Sequence, residues 1–573
     1  MKKSIVLLAF LVSGLSFLFA GPKAEETTAT KGPQYGGTLT VFGGSQNEDP
    51  ASPDIVDGFW PPRFLMFIEE HLLEGDFVKY GPRGTNEYPF TSISYIPDQF
   101  LKGNLIESWD ITPAKTVWHV RPGIKWHDVP HVMGNRDLEL TAQDLVDDLI
   151  YFSKSPNGSA NFAPMFTKIY ALDKYTVVIE TPDFNVDLMY VVGYEDRATY
   201  TPPEVYKAPG GGSKWENRVG TGPYIFEEYV VGSHMSYKKN PNWWRGTTTI
   251  DGVEYKVPFI DRMVKPIIPD VSTRVAAIRT ATLDFYYDVD PSAWQTLDEQ
   301  KGLLSKKFLG GNGIRWALNV KDPPLNDIAV RKALFRGTDI DAFGKAQYAG
   351  IDVDLPIHWF PMYPYDPSVY TPMDQLPPEI SELYDYDPVA AKKMLADAGY
   401  PNGFKLEVNA ESTALGQARA SLLEDQWSKI GVKLEIKSYS TADQMRMGFQ
   451  KDYKNVCFDA IETANAILTL RQAAETGHAL NITTSQDAYV DEEMATIMAE
   501  IDPDKRSAMM KELGVYVLGQ VYNIPANSVV NADYWWPWIK NYYGEASIGD
   551  VGDWEVVLGY AWIDEALKKE MGY

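Results

Sequence analysis

The stretch RVGTGPYIFEEYVVGSHMSYKKNPNWW, residues 218–244, decides how this chain reads. It predicts a tight Gly-Thr-Gly-Pro turn and then two strands, residues 224–231 and 234–238, joined at Gly232-Ser233. Gly220 and Gly222 are expected to take backbone conformations closed to other residues, and Pro223 fixes φ at the start of the first strand. Asn240-Pro241-Asn242 stops the second strand in a turn, and Trp243-Trp244 follows as an apolar anchor. The residues by themselves describe a β-hairpin with an aromatic foot, a scaffold element with no chemistry of its own.

The surrounding chain is large enough to hold several cores. At roughly 150 residues per domain, 573 residues make three or four units. Hydrophobic residues at 45% and charged residues at 23% are an ordinary soluble balance. The net charge of −25 argues against nucleic acid, because phosphate binding needs clustered Lys and Arg. Residues 1–20 read as a secretory signal peptide: Lys2-Lys3, an apolar run over residues 5–12, and Ala20-Gly21 as the cleavage site, with Leu18 larger than such sites prefer. Residues 25–32 then form a polar linker, and no Cys near residue 21 supports a lipid anchor. Later apolar runs fall short of the roughly 18 residues that span a bilayer. The expected product is exported and soluble, periplasmic or at the cell surface.

Cys457 is the one cysteine, so no intramolecular disulfide forms, and its apolar NVCFDA setting marks a buried structural thiol. His127 and His131 are four apart, but Pro130 keeps them off one helix face and no third ligand is evident; no metal and no cofactor is expected. The chain lacks G-x-S-x-G, H-E-x-x-H, G-x-x-x-x-G-K-[ST] and C-x-x-C. A glycosidase-like carboxylate pair is assembled in space, so a secreted hydrolase stays as a remote alternative to binding.

Other blocks follow in order. Gly36-Gly37 opens a strand over residues 38–42, and Asp49-Pro50 closes the loop after it. Residues 61–74 have helix-like apolar spacing, and residues 75–99, rich in Gly, Pro and Tyr, read as an insertion without an assigned role. LIESWDITPAKTVWHVRPGIKWHD (105–128) has a short turn followed by a half-buried strand that alternates over Thr116 to Arg121, and Thr141-Ala142-Gln143-Asp144 starts a helix with Thr141 as N-cap and Asp144 in the capping-box position. ALDKYTVVIETP (171–182) reads as one strand. Residues 260–285 join a strand to an amphipathic helix, and RWALNVKDPPLNDIAVR (315–331) runs from an aromatic strand into a helix. DPVAAKKMLADAGYPNGF (387–404) has helical spacing ended by Gly399, followed by a helix over 417–430, a strand over 432–439 and the strand around Phe458-Asp459-Ala460.

In this order the blocks resemble the family 5 extracellular solute-binding proteins of ABC importers: GTGPY with N-P-x-W-W, the E-S-W strand, T-A-Q-D, the P-P-x-x-D crossover, D-P-x-x-A…A-G-Y-x-x-G-F, and F-D-A. The resemblance covers about residues 36–543. It implies an α/β periplasmic-binding-protein-like fold of type II, two lobes around a hinge with an additional domain. Lobe 1 is expected from 21–50, 190–314 and 528–573, the additional domain from 51–189, and lobe 2 from 315–527. It implies a monomeric receptor that captures a solute by lobe closure and delivers it to a membrane permease.

The resemblance nominates Ser45, Gln46 and Asn47 in the first loop, Tyr286, Tyr287 and Asp288 after the amphipathic helix, and Trp316 and Asn319 in the crossover strand. Peptide-binding relatives place a Gly-Trp and then an Asp after F-D-A, the Asp pairing with the ligand's ammonium. Here the Gly-Trp is absent, Asn465 lies nearest the acidic position, and Glu462 is an alternative. An amide orients a ligand but does not neutralise a buried ammonium. With 16 Trp and 34 Tyr the ligand is left open between an oligopeptide and an oligosaccharide or other uncharged solute.

Overall fold

The computed structural model describes residues 32–43, 65, 67–90, 96–155, 158–159, 162–194, 199–348, 366–462, 465–549 and 554–573. Fourteen strands carry the architecture. These are β1 (Thr38–Gly43), β2 (Ile106–Thr112), β3 (Lys115–Val120), β4 (Lys168–Asp173), β5 (Thr176–Glu180), β6 (Tyr224–Val230), β7 (His234–Lys239), β8 (Arg262–Pro266), β9 (Phe285–Tyr287), β10 (Leu304–Leu318), β11 (Phe404–Glu411), β12 (Val432–Tyr439), β13 (Val456–Glu462) and β14 (Asn523–Trp535). Ten of them form one mixed sheet in the order β12-β11-β13-β10-β14-β9-β1-β8-β7-β6, and β2-β3-β5-β4 form a separate antiparallel sheet.

The large sheet serves two cores. One half packs Leu39, Tyr224, Trp294, Trp536 and their neighbours; the other packs Trp316, Val408, Trp427 and theirs. Only β10 and β14 are long enough to run through both. Their antiparallel ladder breaks between Leu309 and Gly313, at Gly310-Gly311-Asn312, so the shared ribbon changes register where the halves meet. The four-stranded sheet has its own core around Trp118, Trp126, Leu145 and Ile179, and this core shares Leu101 and Trp244 with the first half.

The opening hairpin forms as expected, β6 pairing β7 from Tyr224↔Lys239 to Val230↔His234 around Gly232 at φ +69°. The reason for its glycines differs from the expectation. Neither Gly220 nor Gly222 has a positive φ; instead a Cβ on Gly220 would sit 1.8 Å from the Ile68 carbonyl oxygen, and one on Gly222 2.9 Å from the backbone of Phe67 and Ile68. Close backbone approach, rather than special dihedrals, requires glycine here.

That approach docks the hairpin onto three buried carboxylates. Arg218 pairs with Glu69, both side chains fully buried. Glu70 accepts hydrogen bonds from Thr221 Oγ1 (2.8 Å), Trp244 Nε1 (2.8 Å), Trp243 Nε1 (3.4 Å) and Arg245 Nε (3.2 Å), and Glu74 accepts from Arg245 Nη1 (2.8 Å). The helix expected over 61–74 is therefore corrected: residues 69–71 are irregular and Leu73–Gly75 is a short strand, because these carboxylates face the hairpin rather than solvent, while 61–64 lie outside the described residues. The single strand expected over 171–182 is likewise two, β4 and β5, turning at Lys174-Tyr175.

Asp148 lies beside this cluster, hydrogen-bonded by the Tyr206 hydroxyl. Burial, with the nearby Glu69 charge adding to it, pushes its carboxyl up to about 8, against the opposing pull of Tyr206 and Arg218. A carboxyl raised in the folded state binds a proton that the unfolded chain has already released, so its stabilisation is complete below about pH 4 and is lost as pH rises through about 8. Asp148→Asn is expected to flatten the decline in melting temperature between pH 6 and pH 9, measured by scanning calorimetry across that range.

Candidate functional site

Strands β12, β11 and β13 run parallel, and each is followed by a helix that starts at its carboxyl end: Ala414–Lys429 after β11, Thr441–Gln450 after β12 and Ala466–Ala474 after β13. In open α/β sheets ligands bind in the crevice outside such carboxyl ends. The β11–β13 pairing ends at Asn409↔Cys457, so the last residues of the two strands part there. Side chains from the first two of these helices gather around Phe458 at that split.

Arg419, from the helix after β11, lies over the Phe458 ring, its guanidinium carbon 5.0 Å from the centroid. It donates through Nη2 to Gln347 Oε1, which also accepts from Asn527 Nδ2 at 2.7 Å. Gln444, from the helix after β12, donates to the Phe458 carbonyl oxygen. Trp316 meets the Phe458 ring edge-on at 5.4 Å. Arg419 Nε, Asn527 Oδ1, Gln444 Oε1 and Trp316 Nε1 are all buried, and none finds a hydrogen-bond partner among the described residues. Burial lowers the pKa of Arg419, with Glu411 partly opposing it, and no carboxylate among the described residues forms an ion pair with the guanidinium. A buried cation beside unpaired donors and acceptors is costly unless something else completes it.

This cluster adjoins the break in the β10–β14 ribbon. Asn527 is next to Ser528, which pairs with Gly313 at the edge of the irregularity. Tyr348 spans it: its hydroxyl donates to the Ser528 carbonyl oxygen (3.2 Å) and accepts from the Val530 amide (2.7 Å). Its ring stacks on Trp294 of the other half, centroids 5.6 Å apart and planes 9° apart. Tyr348 thus ties the second half's helix Ile340–Gln347, whose last residue holds Arg419, to the crossing ribbon and to the first half.

The residues nominated from sequence fall into separate places. Ser45, Gln46 and Asn47 lie outside the described residues. Tyr286 and Tyr287 are buried in β9, Tyr286 opposite Phe42 and Tyr534, and Asp288 has φ +51° with its amide donating to Asp533 Oδ1 (2.9 Å). Asn319 is held by Tyr453, Thr484 and Asp322, its amide donating to the Tyr453 carbonyl oxygen (3.1 Å) and accepting from Thr484 Oγ1 (2.7 Å). Asn465 is buried and caps the helix Ala466–Ala474, its Oδ1 accepting from the Leu468 amide (3.0 Å). Glu462 ends β13 opposite Asn312, at the ribbon break.

Glu462 and Asn465 therefore fall close together in sequence at the carboxyl end of β13, while Trp316, on β10, pairs with Phe458 four positions earlier. Tyr286 to Asp288 sit by Asp533, whose partner Lys306 is six residues from Asn312, a run of roughly 20 Å at strand spacing. Sequence reading missed Gln347, Arg419, Gln444 and Asn527. One signal for them was present: Arg419 falls on the stripe of Gly416, Ala420, Leu423 and Trp427 that its helix buries, where a charge is out of place.

His127 is a structural residue of the hairpin junction, Nδ1 accepting from the Gly220 amide and Nε2 donating to the Gly222 carbonyl oxygen (3.0 Å); burial lowers its pKa to about 4. Cys457 is buried, and burial pushes its thiol up to about 12. Among the described residues no helix is long and apolar enough to cross a membrane.

Comparison with known proteins agrees with this architecture. Heme-binding protein A of Haemophilus influenzae is 25% identical over 483 residues, covering 78% of this chain and 83% of the relative. The dipeptide-binding protein of Escherichia coli is 25% identical over 382 residues, covering 61% and 66%. The structure of HbpA2 from Haemophilus parasuis superposes with TM-score 0.71 at 19% identity, covering 92% of this chain and 98% of that one. The periplasmic binding protein DppA from Helicobacter pylori, solved with the peptide STSA, superposes with TM-score 0.66 at 19% identity, covering 93% and 99%. The fold is the periplasmic-binding-protein-like α/β type, two lobes joined by the β10–β14 ribbon with the four-stranded sheet as an additional unit. The family model described as bacterial extracellular solute-binding proteins, family 5 Middle, matches residues 101–467, and the chain belongs to that family.

Proposed function

We propose that this chain is an extracytoplasmic receptor that captures an oligopeptide-class ligand between its lobes and presents it to the membrane permease of an ABC importer. It binds without chemistry and works as a monomer. The observation that carries the peptide reading is Arg419, a buried guanidinium at the carboxyl ends of β11 and β13 with no carboxylate partner among the described residues. A ligand ending in a carboxylate supplies that partner through a charge-assisted pair; an uncharged sugar does not. The dipeptide- and peptide-binding relatives lend the same direction.

The lobe division proposed is 21–50, 190–314 and 528–573 against 315–527, with 51–189 as the additional domain. The ladder break between Leu309 and Gly313, opposite Ser528 and Val530, lies beside two of those boundaries and supports them. Ser45, Gln46, Asn47, Tyr286, Tyr287, Asp288, Glu462 and Asn465 are kept as ligand-facing candidates, with Trp316 and Asn319 as supports beneath them. Arg419, Gln347, Gln444 and Asn527 join the list.

Thermal shift separates the ligand classes. At a hundredfold excess over Kd, binding adds about 2.7 kcal/mol to stability. Pooled di- to tetrapeptides are expected to raise the melting temperature while pooled neutral oligosaccharides leave it unchanged. A shift with the oligosaccharides alone would replace the peptide reading.

A further inference from the structure

The four-stranded unit touches the second lobe at a place that neither the ribbon nor the carboxylate site explains. After β5 the chain passes through Phe184 and Val186, both buried, into the helix Asp187–Gly193. They are buried against the second lobe, in a cluster with Ile467 and Leu470 of the helix Ala466–Ala474 and Ile497 of the helix Ala488–Ala499. The Val186 amide donates to the Met498 carbonyl oxygen across this contact at 3.0 Å. Asp187 accepts from Arg471 Nη1 at 2.5 Å, while Arg471 Nε is held by Glu475 at 2.7 Å on its own helix. A second pair, Arg506 with Asp98, ties the second lobe to the segment 96–100, whose Ile96 and Phe100 pack on the first half's core.

We infer that residues 184–187 are a closure latch: a strap carried by the additional domain that fastens onto the helix Ala466–Ala474 when the lobes shut. The four-stranded core shares Leu101 and Trp244 with the first lobe and, among the described residues, only Met189 with the strap's own cluster, so it moves with the first lobe, whereas Arg471, Ile467 and Met498 belong to the second. Rotation about the β10–β14 ribbon must separate Phe184 and Val186 from their apolar floor and Asp187 from Arg471. Arg471 is also two turns along the helix that Asn465 caps, so the helix that starts at the candidate ligand crest is the one the strap grips. Apolar burial makes the contact cohesive, and the two charged pairs give it register. The latch rests on the lobe-closure reading above but not on the identity of the ligand.

Its test therefore uses the ligand-free chain. The Val186 amide is bonded across the contact, so its hydrogen exchange reports detachment directly. Arg471→Gln and Asp187→Asn are each expected to speed that exchange about tenfold, with the double variant no faster than either single, because both remove one interaction. Phe184→Ser, which opens the apolar floor from the strap's side, is expected to do the same and to enlarge the radius of gyration in small-angle scattering. Far-UV circular dichroism checks that each variant is folded, and any one folded variant suffices. Val186 exchange unchanged in the folded variants would overturn the latch, as would additive effects of Arg471→Gln and Asp187→Asn. Failure of every peptide to bind would overturn the ligand class and leave these exchange results standing.

Discussion

Arg218→Met is expected to cost about 3–5 kcal/mol of stability, the price of stranding a buried charge. Arg218 and Glu69 are paired with both side chains fully buried, and Asp148 lies close enough for its carboxyl to feel both charges. Removing the guanidinium takes away the opposite charge that buried Glu69 pairs with, beside a second buried carboxyl, Asp148. Burial then forces Glu69 to take up a proton, and the hairpin over 218–244 loses one of its three anchors. In a multi-core chain the loss is read as a lower midpoint for the first denaturant transition rather than a two-state free energy. Arg218→Lys is expected to rescue little, since a lysine lacks the planar fork. Arg218→Met with Glu69→Leu is expected to recover much of the loss, because neither charge of the pair is left buried without the other. A first midpoint for Arg218→Met equal to that of the unaltered chain would contradict this account of the junction.

Arg419→Met is expected to act in the opposite sense on stability and strongly on binding. The guanidinium is buried over Phe458 with only Gln347 as a hydrogen-bond partner among the described residues, so in the ligand-free chain its burial is only partly offset, by that ring, by Gln347 and by the Glu411 charge. A methionine of similar length removes that cost, and the melting temperature should hold or rise. Affinity for a peptide that pairs its carboxylate with Arg419 should fall about a hundredfold, or about 2.7 kcal/mol. Stability retained while binding is lost marks a ligand contact; loss of both would mark a core residue.

The individual elements were legible because they rest on local rules, while the arrangement of lobes was legible only through the family resemblance that their order carries. Thr141 and Asp144 form the capping box, Gly399 takes φ +94° after the helix Pro388–Asp397, and Val432–Tyr439 is a strand over the expected residues. Each of these follows from side chains within a few positions. What failed depended on distant neighbours. Nothing near Gly220 in sequence shows that Ile68 will press against it, and nothing in residues 61–74 shows that Glu69, Glu70 and Glu74 will face Arg218, Trp244 and Arg245.

The candidate site was less legible for the same reason. Its four missed residues come from three helices and a strand that meet only at the carboxyl ends of β11 and β13. The family resemblance pointed to strand ends and loops, and part of those loops, Ser45 to Asn47, lies outside the described residues. Asn465 illustrates the limit of reading by position. Its side chain caps a helix, a role the residue type predicts just as well as ligand contact.

Whether Arg419 receives the terminal carboxylate of a bound peptide is read by isothermal titration calorimetry of the intact chain. The titrant is a peptide found by thermal shift, compared with the same peptide as its C-terminal amide. The account predicts that amidation weakens binding about a hundredfold in the unaltered chain and has little further effect in Arg419→Met. Equal affinity for acid and amide in the unaltered chain would contradict it.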